Sequence, residues 1–200
     1  RSTALECYLR KSIFGNRNVE EVQRPNLKVV INATELRTGT AFRYGSSGSG
    51  SWRYGKLVHV PRVSQAVAAS AAFPALLPAF DQSMEFEHKG RRNFHRAIIT
   101  DGGVYDNLGI SCLMPGRDPE YSPSSFDVNF IIACDAGQGM PSGQLKPYLW
   151  PSRMLQTVNT IHRRTHTLSY SLLHKMAGSG EIKGFLLPYM GQIDERLPYQ

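Results

Sequence analysis

Residues 98–107 read Ile-Ile-Thr-Asp-Gly-Gly-Val-Tyr-Asp-Asn, an apolar run that stops at the carboxylate of Asp101 and continues through Gly102 and Gly103. A strand that delivers one Asp to its carboxyl end, beside glycines that admit other backbone, can place a base in a site. Asp-Gly is equally a common turn signal, and the decapeptide does not choose between the two. Asp135 closes a second apolar run at 126–134 but lacks the double glycine. A nucleophile to match either carboxylate is harder to find. No serine stands in a G-x-S-x-G context, so no nucleophile elbow is present. The run Gly45-Ser46-Ser47-Gly48-Ser49-Gly50-Ser51 is followed by no Gly-Lys-Ser/Thr and is not a phosphate-binding Walker loop. Its composition predicts a flexible surface loop. Ser70 falls inside an alanine-rich helical stretch, where a hydroxyl ordinarily bonds back to its own turn.

Metal and thiol chemistry find little support. Cys7, Cys112 and Cys134 are odd in number and fit neither a disulfide framework nor a zinc site, which predicts reduced, mostly buried thiols. His162 and His166 are four apart, but Arg-Arg-Thr intervenes where a zincin needs Glu. No metal and no cofactor are expected.

The elements that must position these groups follow from hydrophobic periodicity. Helices are predicted over 2–14, 64–73 and 108–114, the last capped by Asn107, with a long amphipathic helix over 152–177. The stripe of that long helix is Leu155, Val158, Ile161, Thr165, Leu168, Leu172 and Met176. Strands are predicted over 27–32, 94–100, 126–134 and 181–188, with a polar hairpin or loop at 81–93 carrying His88. Strands separated by helical segments suggest an α/β sheet with helices on its faces, and catalytic groups then lie beyond the strands' carboxyl ends.

The net charge of +7 favours an anionic partner. The basic residues come in twos, Arg10-Lys11, Arg91-Arg92 and Arg163-Arg164, without the interleaved aromatics of a nucleic-acid surface, so no nucleic acid is expected. No apolar run approaches the roughly 18 residues of a membrane span. Peripheral contact with an anionic membrane is compatible with the charge and with Tyr148 and Trp150.

Three segments taken in order, Val30-Ile31-Asn32-Ala33-Thr34-Glu35-Leu36 with Thr38-Gly39, Ala69-Ser70-Ala71-Ala72-Phe73-Pro74, and Asp101-Gly102-Gly103-Val104-Tyr105-Asp106-Asn107, resemble the patatin-like phospholipase family. The resemblance covers roughly residues 27–109. It implies a three-layer α/β sandwich with a mostly parallel central sheet, and an acyl hydrolase acting on phospholipids or other lipid esters through a Ser–Asp dyad. Asp101 takes the place of the dyad's carboxylate, with Gly102 and Gly103 leaving room beside it. The family's serine elbow and glycine-rich oxyanion turn precede these segments and have no counterpart here. Residues 1–200 are therefore expected to be the C-terminal portion of one such domain, inactive alone, at the cytoplasm or a membrane surface. A non-catalytic lipid-binding or interaction module is the alternative.

Overall fold

The computed structural model describes residues 2–74, 76–114, 117–118, 122–135 and 149–188. The chain divides into two compact units, Arg1–Asp127 and Val128–Gln200.

In the first unit six strands close into an antiparallel barrel: β1 (Val30–Glu35), β2 (Thr40–Gly45), β3 (Gly48–Ser51), β4 (Gly55–Leu57), β5 (Phe80–His88) and β6 (Arg91–Asp101). Each strand pairs with its sequence neighbours, and β1 pairs with β6 to close the ring. Followed once round the barrel, the pairings Asn32–Arg43–Gly50–Lys56–Glu87–Arg92 return to β6 near its start, far from Asp101, so the strands are strongly tilted.

This architecture overturns the expected three-layer α/β sandwich with a parallel sheet. The reason is connection length. Parallel neighbours need a crossover of a dozen or more residues, whereas the turns joining β1 to β2, β2 to β3 and β5 to β6 span only two to four residues and force antiparallel pairing. One of those turns, at 46–47, was hidden by composition. The glycine-serine run predicted as a flexible loop is strand β3, buried along its whole length. Gly50 has φ +149°, and a Cβ there would stand 2.1 Å from the Gly55 carbonyl oxygen. Small residues here permit close strand approach, not mobility.

The core follows the strand alternation: Ala33, Phe42, Tyr44, Phe86, Ala97 and Ile99 are buried, with Phe42 4.9 Å from Tyr44 and edge-on to Phe86 at 6.3 Å. Helix α2 (Val63–Ser70) adds Val63, Ala66, Ala68 and Ala69 to the same cluster. Helix α1 (Ser2–Leu9), continued by a π-helical turn to Phe14, packs on α2. Ser64, in the first turn of α2, is buried and donates to Glu6 Oε1 at 3.1 Å. The polar connection after Gly15 contains a short 3-10 helix, Val19–Val22, closed by an Asn18/Glu21 capping box.

The second unit holds β7 (Phe130–Ile132) and β8 (Gly184–Leu186), paired in parallel, with the long helix Trp150–Ser179 between them in sequence. The expected helix is present and slightly longer than predicted, with Pro151 in its first turn and Gly180 in the left-handed conformation beyond its end. Leu173 and Met176 are buried, while Leu155, Val158, Ile161, Leu168 and Leu172 of the anticipated stripe are exposed. Cys134 is exposed as well, against the expectation of a buried thiol, because β7 ends at Ile132. Of the loop expected over 138–150, residues 138–148 lie outside the described residues, as does the tail beyond residue 188, and Trp150 opens the helix instead.

Candidate functional site at the Asp101 turn

Strand β6 ends on Asp101, which is half-buried and lies opposite Ala33 of β1. The Thr34 hydroxyl donates to the Asp101 carbonyl at 2.8 Å. From the other side, the Asp101 N–H at 3.2 Å and the Thr100 hydroxyl at 2.6 Å both donate to the carbonyl of Ala72, and the Gly102 N–H donates to that of Ser70 at 3.3 Å. The three segments singled out in the sequence therefore meet at one turn. Ser70 contributes through its main chain.

Gly102 explains why the turn needs glycine. A Cβ there would stand 2.4 Å from the Asn32 carbonyl oxygen, a backbone atom fixed in β1. The Gly103 N–H then donates to Asp101 Oδ1 at 2.6 Å, starting the single helical turn α3 (Gly103–Asp106). A short charge-assisted bond of this kind fixes the carboxylate's orientation. Asn107, predicted to cap a helix over 108–114, instead follows α3, and only Ser111–Leu113 forms a 3-10 turn downstream. The side chain that opens a helical turn here is Asp101 itself. Asp106 Oδ2 accepts from the Ser111 N–H at 2.7 Å and orders the exit from the turn.

Two polar residues beside the turn were not anticipated in this role. Asn32, opposite Arg43 in the β1–β2 ladder, has a buried Oδ1 without a hydrogen-bond partner, and its Nδ2 lies 3.2 Å from where a Cβ of Gly109 would be. Arg43 is only 3 % exposed. Its guanidinium donates to Ser122 Oγ at 3.1 Å, to the Pro123 carbonyl at 3.2 Å and to Ser111 Oγ at 3.2 Å, pinning the chain after α3 to the barrel. Burial pulls its pKa below the ordinary range, opposed by the nearby Cys112 and Asp106. Burial likewise pushes the Cys112 thiol up. Period-two alternation puts Arg43 on the face opposite Phe42 and Tyr44, and only its pairing with Asn32 across the ladder brings it to this turn.

The rival carboxylate, Asp135, has a different setting. It is buried in the second unit, accepts a hydrogen bond from the Tyr170 hydroxyl, and lies 3.4 Å from His166 Nε2. His166 stands edge-on to Tyr170 at 4.7 Å. These contacts tie the long helix to the chain after β7. The side chain of His162 lies outside the described residues. Among the described residues no group of three or more His, Cys, Asp and Glu could hold a metal ion, and no helix is long and apolar enough to cross a membrane.

Compared with known proteins, the chain matches no family model and no curated relative.

Proposed function

We propose that Asp101 is the base of a Ser–Asp dyad in a lipid acyl hydrolase of the phospholipase A kind, with the serine supplied from outside these 200 residues. The observation that carries this reading is the convergence of the three segments resembling patatin-like phospholipases on the single turn at Asp101. The chemistry is coherent. A serine hydroxyl becomes a nucleophile only when a base takes its proton. A carboxylate with a reference pKa near 4 is a weak base at neutral pH, so contact, desolvation and an oxyanion hole must supply the rest. Gly102 lets the β1 backbone at Asn32 come close beside Asp101. Phe73 and Leu76, just beyond α2, expose apolar surface suited to an acyl chain. The reaction asks for no cofactor.

The substrate would be met at a surface. The helix Trp150–Ser179 carries Arg153, Arg163, Arg164 and Lys175 but no Asp or Glu, and exposes Trp150, Leu155, Val158 and Ile161. A basic helix with such a face suits peripheral contact with an anionic bilayer.

One observation favours a second reading, a non-catalytic lipid-binding module in which Asp101 only caps α3: its Oδ1 already accepts from Gly103. The two part on one experiment. In the full-length gene product, hydrolysis of a short-chain nitrophenyl ester should fall by roughly 10²–10⁴ in Asp101→Asn, the range a positioned base contributes. An unchanged rate removes Asp101 from the mechanism, and absence of activity in the unmutated protein favours the binding module.

A further inference from the structure

A cleft of about 360 Å³ opens beside the barrel, where the segment 123–126 faces the strand ends at Gly48, Gly55 and His88. That volume suits a small ligand and not a lipid chain. Its charge is one-sided. Lys28 precedes β1, Lys56 is in β4 and Lys89 is in the β5–β6 turn, so three cationic side chains reach one cleft from three separate segments, joined by His88. Glu87 is the one carboxylate in the lining, and it is paired with Arg92 at 3.3 Å.

The lysines are held by the surrounding structure. The stem of Lys56 crosses Gly48 so closely that a Cβ there would meet its Cε at 2.6 Å and its Nζ at 3.2 Å. Lys28 Nζ stands 5.6 Å from the centre of the Phe126 ring. Ser124 donates to the Gly48 carbonyl at 2.9 Å and fixes the far wall on the barrel. Cations gathered together repel one another. A single oxyanion would relieve that repulsion, taking charge-assisted bonds from the lysines.

We infer that this cleft binds a phosphate group borne on a small molecule or a lipid headgroup, with Lys28, Lys56 and Lys89 as its ligands. The inference is independent of the proposed hydrolase: none of these residues belongs to the Asp101 turn. Two sources share this chemistry, a soluble phosphomonoester and a phosphatidic-acid-like headgroup. The full chain should be titrated calorimetrically with inorganic phosphate and glycerol 3-phosphate, and floated on phosphatidylcholine vesicles with and without phosphatidic acid. Lys28→Gln, Lys56→Gln and Lys89→Gln should each weaken binding roughly ten-fold, as loss of one charge-assisted bond does. The exposed Lys11→Gln and the turn variant Asp101→Asn should not change it. Binding of the soluble phosphates with this pattern assigns a soluble ligand; flotation with this pattern and no soluble binding assigns the headgroup. No binding in either arm, or equal weakening by Lys11→Gln and Lys56→Gln, overturns the site.

Discussion

Asp101 does two jobs in the proposed chemistry, and two substitutions separate them. Asn keeps an oxygen to accept from Gly103 and removes only the charge, so Asp101→Asn should fold with nearly unchanged stability while losing activity. Asp101→Ala loses the cap as well, and should be less stable than Asp101→Asn by about 1 kcal/mol in urea unfolding. Equal stability of the two would show that the Gly103 bond adds nothing. Glu35 is a purely structural counterpart. It is fully buried and accepts from the N–H groups of Arg37, Thr38 and Ile98 and from the Thr38 hydroxyl. Glu35→Gln confronts those donors with an NH₂ group and should cost about 2–4 kcal/mol in the same assay, with no effect on phosphate binding in the lysine cleft. At this scale the sequence was partly legible. The residues flanking Asp101 were identified by type and order, but Asn32 and Arg43 became recognisable only once β1 and β2 were paired, because a cross-strand neighbour leaves no trace in local spacing.

Among the elements, helices with a length of several turns were readable and short strands were not. The long helix announced itself by periodicity over many residues, while the polar composition of 81–93 left hairpin and loop open and pairing of β5 with β6 makes it a hairpin. Strand β3 carries only glycine and serine, so neither propensity nor alternation could reveal it; what makes it a strand is contact with β2 and β4. That dependence is testable. Gly50→Ala places a methyl against the Gly55 carbonyl and should destabilise the first unit by roughly 2 kcal/mol or more, seen as a lower melting temperature. A truly flexible loop would accept the change without loss. On the long helix, Ile161→Glu introduces a charge into the exposed apolar face and should reduce flotation on anionic vesicles if that face meets the bilayer. Unaltered flotation would assign membrane contact elsewhere.

For the molecule as a whole, burial of weak acids sets an alkaline limit. Burial raises the Cys112 thiol above its ordinary 9.0 and the Tyr44 phenol above its ordinary 10.0. Both are neutral when protonated, so above these values the unfolded chain releases protons that the folded chain keeps. Unfolding then gains on folding, so the contribution of these two groups should be constant below about pH 9 and stability should decline progressively as pH rises beyond it. Tyr44→Phe should flatten the later part of that decline, as followed by circular dichroism. The α/β alternation expected for the whole chain survives only in the parallel pair β7 and β8, since in the first unit brief turns decide the pairing before any helix can intervene. Closure of the six strands carries a further consequence for any serine that is to reach Asp101. At Asp101 one flank of β6 pairs with Ala33 of β1 and the other donates to the carbonyl of Ala72, and every strand in the ring has two partners. A segment carrying the proposed nucleophile would therefore not join by pairing beside Asp101; it would come over the barrel's rim, where exposed groups such as Phe73 would decide which segment the proposed dyad admits.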